Sequence, residues 1–104
     1  MLGFAILKLK RNTQFNKNMG SGAMLTDVKY LQMLLNQDTD TQIALTGYGS
    51  PGQEITYFGE KTRQAIIKFQ EKFKDAILTP LNLTKGTGIV AKNTRDKLNE
   101  LLGR

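Results

Sequence analysis

Apolar residues recur at helical spacing in three stretches of the chain, which predict helices over residues 27–36, 60–74 and 93–102. Thr26 or Asp27 is the predicted N-cap of the first helix, because short polar side chains accept hydrogen bonds from the unpaired amides at a helix start. The apolar faces of the three helices are expected to meet in one core, formed by Leu31, Leu35, Ile66, Phe69, Phe73, Leu98 and Leu101.

The segments between the predicted helices are rich in Gly, Asn, Asp, Thr and Ser, and they predict loops. The longest loop covers residues 36–51, with a short strand expected at residues 41–45. In the second loop, over residues 79–88, Leu81 and Leu83 are expected to be buried. The pattern therefore predicts an all-α protein, a small three-helix bundle with long loops and an N-terminal extension.

The first 24 residues differ in composition from the rest of the chain. Residues 1–18 mix apolar and basic side chains and predict either an extended arm or a disordered one, while residues 19–24 (MGSGAM) predict a flexible linker. We therefore expect a basic arm with its linker over residues 1–24, followed by a helical domain over residues 25–104. No apolar stretch reaches the roughly 20 residues that a membrane span needs, so none is predicted.

The net charge of +6 comes mostly from the N-terminal arm. Residues 1–26 carry four basic side chains and no acidic one, whereas residues 27–104 carry eleven basic and nine acidic side chains. An arm of this kind either attracts nucleic acid, anionic lipid or an anionic cell-wall polymer, or is a solvated tail. The helical domain lacks a basic recognition helix, so we expect no specific binding of nucleic acid.

The 104 residues include neither Cys nor His, and this absence removes several classes of function. Thiolate sites for zinc or iron–sulfur clusters are excluded, and the commonest general base and metal ligand is missing. Two carboxylates still suffice to hydrolyse a glycosidic bond if burial raises the pKa of one of them. The nine Asp and Glu residues fall mostly at helix starts, on polar faces or in loops, so we expect no enzyme activity, no metal and no cofactor.

The predicted helices share a sequence pattern at two constant offsets. Six residues within 58–69 match six residues within 90–101 at an offset of 32. Gln32 and Gln70, each at the end of an apolar-x-x-apolar-Gln pattern, match at an offset of 38. This repetition predicts that the helices pack with pseudo-symmetry.

Three motifs resemble the peptidoglycan-binding domain 1-like family, and they occur in the order of that family. They are the D-V-x-x-L-Q of residues 27–32, the Y-F-G-E-K-T-R-Q-A-I-I-K-F-Q of residues 57–70 and the G-x-V-x-x-x-T-R-x-x-L of residues 88–98. The similarity covers roughly residues 20–103. Three positions in the turns carry other residues than the Gly or Pro of the family: Glu60, Ala91 and Lys92.

The resemblance implies a noncatalytic, carbohydrate-binding module of three helices that tethers a protein to peptidoglycan. The implied ligand is the glycan strand or the stem peptide of that polymer. The implied location is extracellular or cell-wall-associated, with no signal peptide visible in this chain. The alternative is a structural or assembly protein with the same fold, in which residues 1–18 mediate self-association.

Four side chains are the candidate ligand-binding residues. Tyr48 and Tyr57 flank the glycine-rich loop, and an aromatic face with a hydroxyl group suits a sugar ring. Arg63 and Gln70 border the apolar face of the second helix, where a guanidinium and an amide suit carboxylates and hydroxyls. Three of the four have a structural alternative: Tyr57 in the core, Arg63 in an ion pair, and Gln70 bonded to buried backbone groups of a loop.

Overall fold

The computed structural model describes residues 13–103 of the chain, and nearly all regular structure in this part is helical. The four α-helices in it are α1 at Thr26–Leu35, α2 at Glu60–Lys72, α3 at Lys74–Ile77 and α4 at Lys92–Leu101. A single 3-10 turn at Thr79–Leu81 precedes α4. No β-strand occurs between residues 13 and 103, so the predicted all-α class is confirmed. No helix in this part is long and apolar enough to cross a membrane.

The predicted bounds of the first and last helices agree with the structure to within one residue. The second predicted helix, over residues 60–74, ends two residues early at Lys72, because the backbone at Phe73 leaves the helical region with φ −109° and ψ 40°; the short helix α3 then follows. The strand expected at residues 41–45 is wrong, since this segment forms turns and bends. The N-cap of α1 is Leu25 rather than Thr26 or Asp27, and no side chain caps the helix.

The predicted core forms as the helical spacing indicates. Five of its seven members are buried: Leu31, Leu35, Ile66, Phe69 and Leu98. Phe73 and Leu101 are partly buried and pack against this cluster. These side chains bring α1, α2 and α4 around one apolar interior, which supports the loops described below.

Residues 13–24 belong to the packed domain, and this corrects both the predicted flexible linker and the predicted domain boundary. Phe15 and Met19 are buried in the core. The amides of Met19 and Val90 each donate to the carbonyl of the other, over 3.0 and 2.8 Å. The small residues between positions 19 and 24 were interpreted as a sign of flexibility. In the structure they allow the backbone to lie close to the segments around Phe58 and Val90. Residues 1–12 lie outside the described residues, so that part of the arm stays a prediction.

Leu81 and Leu83 are exposed, contrary to the expectation that they fill the core from the second loop. The buried positions are instead Ile77 and Leu78, which precede this loop. The short helix α3 follows Phe73 and directs Ile77 and Leu78 into the core. These two side chains fill the space that Leu81 and Leu83 were expected to occupy.

Candidate functional site

Gln32 of α1 is buried at the junction between α1, α2 and the glycine-rich loop. Its Nε2 donates hydrogen bonds to Thr62 Oγ1 over 3.0 Å and to the Tyr57 carbonyl over 3.2 Å. Its Oε1 accepts a hydrogen bond from the Ile55 amide over 2.7 Å. A buried amide with both ends bonded holds the chain that precedes α2 at a fixed place on α1.

Gln70 of α2 makes the equivalent contacts in the second half of the domain. Its Nε2 donates to Thr94 Oγ1 over 3.1 Å, to the Ile89 carbonyl over 2.9 Å and to Thr87 Oγ1 over 3.2 Å. Its Oε1 accepts from the amides of Thr87 and Gly88, over 2.8 and 3.1 Å. Gln70 is 1% exposed, and both polar atoms of its amide are bonded within the domain. This corrects its predicted ligand-binding role, because the amide has no free group to offer a ligand.

The two glutamine sites repeat at the offsets found in the sequence. The hydrogen-bond partners that recur at an offset of 32 are the hydroxyls of Thr62 and Thr94, the carbonyls of Tyr57 and Ile89, and the amides of Ile55 and Thr87. Phe58 and Val90, also 32 residues apart, both pair their backbones with the segment 19–23. The predicted pseudo-symmetry is therefore present as two copies of one helix–loop–helix arrangement.

Tyr48 and Tyr57 line one shallow cavity of about 190 Å³ beside the first glutamine site. Their side chains are 80% and 47% exposed, so the core does not use either ring, and the core alternative for Tyr57 is wrong. This tyrosine cavity is lined by the two tyrosines together with Gly49, Glu60, Lys61 and Thr62, among others. The structure thus brings the two predicted aromatic residues together at the first turn of α2.

Arg63 is not among the residues that line the tyrosine cavity, which corrects the predicted arrangement. Its Nη1 forms an ion pair with Glu60 Oε2 over 3.3 Å, which is the structural role that the sequence offered as the alternative for Arg63. Its stem packs over Gly88, where an added Cβ would lie 2.8 Å from Arg63 Cγ; Gly88 also has φ +79°, which favours glycine. Lys61 lies at the cavity instead, because Lys61 and its neighbours Glu60 and Thr62 face the loop that carries Tyr48, while Arg63 faces the loop around Gly88.

Asn36, directly after α1, positions the loop that carries Tyr48. Its Nδ2 donates to the Gly49 carbonyl over 2.9 Å and to Glu54 Oε2 over 2.8 Å, and its Oδ1 accepts from the Ile43 amide over 2.8 Å. Gly49 has φ +88°, and a Cβ there would lie 2.7 Å from Ile43 Cγ2, so the position requires glycine. Asn36 was not among the residues predicted for the site. The sequence does place an Asn directly after an apolar helical stretch, which is a common position for the end of a helix.

Charged contacts tie the start of the same loop to α2. Lys72 Nζ pairs with Asp38 and, over 3.1 Å, with Asp40. The hydrogen bond from Lys72 lowers the pKa of Asp38 below its ordinary value, and the hydrogen bond to Asp38 raises the pKa of Lys72. A lowered carboxyl pKa is the opposite of what a general acid needs. Between residues 13 and 103, no three acidic side chains come close enough together to hold a metal ion.

Comparison of the chain with protein-family models, with curated proteins and with solved structures finds no significant match. The similarity to the peptidoglycan-binding domain 1-like family therefore rests on the motifs of the chain itself, at residues 27–32, 57–70 and 88–98. The structure gives two of these motif positions a physical role, because Gln32 and Gln70 each hold a loop against a helix.

Proposed function

We propose that this chain is a noncatalytic module that binds peptidoglycan, with the glycan strand at the tyrosine cavity. The observation that carries the proposal is that Tyr48 and Tyr57, two exposed tyrosines, line one cavity beside a loop that is held by buried hydrogen bonds. Aromatic side chains that the core does not use are typical of binding surfaces. The family resemblance of residues 27–32, 57–70 and 88–98 supports the same class of ligand.

The chemistry of the tyrosine cavity suits a sugar that carries carboxyl groups. Tyrosine rings pack on the apolar faces of sugars, and their hydroxyls form hydrogen bonds with sugar hydroxyls. Lys61 supplies a cation for a carboxylate of the lactyl or peptide groups. The negative charge of Glu60 at the same cavity is offset by its ion pair with Arg63.

The loop that carries Tyr48 is held in place by the domain itself. Asn36 bonds to Gly49, directly after Tyr48, and Gln32 bonds to the amide of Ile55, closer to α2. A preformed loop loses little conformational entropy on binding, so a few side chains suffice for recognition. The small cavity nevertheless predicts weak binding at one site, on the order of micromolar to millimolar, strengthened where the polymer offers many copies of the ligand.

The proposal includes no catalytic step and needs no cofactor. Asp38 does not suit the role of a general acid, because its contact with Lys72 lowers its pKa. The proposed location is extracellular or cell-wall-associated, because this is where peptidoglycan lies. The proposed partner is therefore the glycan strand with its stem peptides.

The alternative role as an assembly protein depends on residues 1–18, and the structure commits part of that segment to its own domain. The backbone N–H and C=O of Phe15 both bond to the side chain of Asn99 in α4, over 2.7 and 2.9 Å. The ring of Phe15 is buried in the same core. Association with another subunit would have to use residues 1–12, which lie outside the described residues, or the exposed side chains at positions 14 and 16–18, so glycan binding is the better supported proposal.

The direct test of the proposal is sedimentation of the full chain with purified peptidoglycan sacculi. We expect the pelleted fraction to rise with the amount of sacculi and to fall when soluble muropeptides compete. Cellulose is the control, because it is an uncharged glycan without peptides and should pellet little protein. Protein that stays in the supernatant at saturating sacculi, or that pellets equally with cellulose, contradicts the proposal.

A further inference from the structure

A second cavity, of about 390 Å³, lies beside the second glutamine site. Leu81 and Ile89 line it and are both 54% exposed, so these aliphatic side chains are not used to fill the core. The buried residues Ile77 and Leu78 also line it, and Lys92 of α4 supplies a charged group. This aliphatic cavity, named for Leu81, Ile89, Ile77 and Leu78, therefore has mostly apolar walls with one charged group at them.

The aliphatic cavity occupies the place of the tyrosine cavity in the second copy of the repeated unit. Gln32 lines the first cavity and Gln70 lines the second. Six further lining positions correspond at the offset of 32: residues 55, 57 and 59–62 in the first cavity and residues 87, 89 and 91–94 in the second. One scaffold therefore forms two cavities, each at the first turn of a helix.

The two cavities differ in chemistry at four of these corresponding positions: Ile55, Tyr57, Glu60 and Lys61 in the first correspond to Thr87, Ile89, Lys92 and Asn93 in the second. The aromatic ring of Tyr57 corresponds to the aliphatic side chain of Ile89, and the carboxylate of Glu60 corresponds to the ammonium group of Lys92. Lys92 is well exposed and makes one surface ion pair, with Asp96 over 2.8 Å. The aliphatic cavity thus combines apolar walls with a cation, and none of its lining residues within 13–103 is acidic.

We propose that the aliphatic cavity is a peptide subsite for a short segment of small aliphatic residues that carries a carboxylate, which is the chemistry of the stem peptide of peptidoglycan. The inference rests on the proposed function, in which the glycan occupies the tyrosine cavity. Leu81 and Ile89 contact the methyl groups of the peptide, and Lys92 pairs with its carboxylate. A volume of about 390 Å³ fits a few small residues and is too small for a partner helix.

Arg63 lines neither cavity, but it contacts residues beside both of them. Its stem packs against Gly88, next to Ile89, and its guanidinium pairs with Glu60 of the tyrosine cavity. Sugar and peptide are covalently joined in the polymer, so binding at one cavity raises the effective concentration of the other group at its own cavity. A ligand with both parts therefore binds more tightly than the sugar or the peptide alone.

The test uses two separate probes on the ¹⁵N-labelled full chain, with amide chemical shifts as the readout. One probe is an oligosaccharide of N-acetylglucosamine, and the other is an acetylated pentapeptide of stem-peptide sequence that ends in D-alanyl-D-alanine. We expect the sugar to shift the amides of Tyr48 and Tyr57, and the peptide to shift those of Ile89, Ala91 and Lys92. Sugar shifts without peptide shifts at the aliphatic cavity overturn this inference alone, whereas no shifts with either probe overturn the proposed function as well.

A charge-reversal variant then tests the role of the cation. A Glu at the first position of α4 suits the helix dipole, and the ion pair with Asp96 that it removes is exposed and contributes little, so Lys92→Glu should leave the domain folded. We expect the Kd for the peptide to rise by roughly fivefold or more, since an attractive pair becomes a repulsive one, with the Kd for the sugar unchanged. Lys29→Glu, on the exposed face of α1, is the matched control with the same change of charge. Equal affinity of Lys92→Glu and the native chain for the peptide overturns the inference.

Discussion

Gln32 donates a hydrogen bond from its side-chain amide to Thr62 Oγ1 over 3.0 Å, and both side chains are buried. The bond joins α1 to the first turn of α2. Because the same amide group also bonds to the backbones of Ile55 and Tyr57, the two helices and the chain between them form one unit. The tyrosine cavity is therefore supported directly by the core.

Gln32→Ala should lower the free energy of unfolding by roughly 2–4 kcal/mol, because it removes three hydrogen bonds and leaves buried partners unpaired. The matched control is Gln64→Ala, which removes an exposed amide bonded to Glu60 and should change the free energy by less than about 0.5 kcal/mol. Urea denaturation measures both values. An unchanged urea midpoint for Gln32→Ala would show that the buried amide does not stabilise the domain.

Phe69→Ala should cost roughly 3–5 kcal/mol, because Phe69 lies in the core between α2 and its neighbours. This is a large part of the total stability of a small domain, about 5–15 kcal/mol. Phe73→Ala, at the partly buried neighbour of Phe69, should cost less. Thermal and urea unfolding of both variants measure the order, and an equal or larger loss for Phe73→Ala contradicts the core described above.

The helices were predictable because apolar residues at a period of 3.6 define a buried face without reference to the rest of the chain. The role of residues 13–24 was not predictable in this way, because it depends on backbone pairing of Met19 with Val90, 71 residues away in sequence. The exposure of Leu81 was missed because an apolar residue in a loop does not reveal whether earlier residues, here Ile77 and Leu78, already fill the core.

The candidate site was predictable in part. Tyr48 and Tyr57 meet because both belong to the loop that ends at α2, and this follows from their order in the sequence. Arg63 was wrongly expected at this cavity. Side chains two residues apart on a helix point about 200° away from each other, so Lys61 faces the cavity and Arg63 faces the loop around Gly88 on the other side of α2. Gln70 borders the apolar face as expected, but burial commits its amide to the loop of residues 86–90.

Phe15→Ala should lower the free energy of unfolding by roughly 3–5 kcal/mol if residues 13–24 stabilise the domain as part of its core. Gln14→Ala is the control, because Gln14 is the exposed neighbour in the same segment. Urea denaturation gives both values. Equal stability of the two variants would restore the interpretation of this segment as a flexible arm.

The pair of Asp38 and Lys72 predicts a pH-dependent contribution to stability. The pKa of Asp38 is lowered in the folded state, so its contribution is present above the unfolded-state pKa and is lost as the pH falls through the folded-state pKa. The pKa of Lys72 is raised, so its contribution is present below the unfolded-state pKa and is lost as the pH rises through the folded-state pKa.

Asp38→Asn should therefore lower the urea midpoint at pH 7, and its difference from the native chain should shrink as the pH falls to about 2.5. The effect is small because both side chains are partly exposed, and high salt should reduce it further. A midpoint difference that is the same at both pH values would show that the ion pair with Lys72 is not its cause.

The most direct measurement is sacculus binding by a chain that carries Tyr48→Ala together with Tyr57→Ala. Both side chains are exposed and outside the core, so the double variant should keep the melting temperature of the native chain within a few degrees. Met24→Ala is the matched control, because Met24 is exposed and is not among the residues that line the tyrosine cavity. We expect the double variant to raise the Kd for sacculi by roughly tenfold or more and Met24→Ala to leave it unchanged. Native-like binding by the double variant, or loss of binding only when residues 1–12 are removed, would contradict the tyrosine cavity as the binding site.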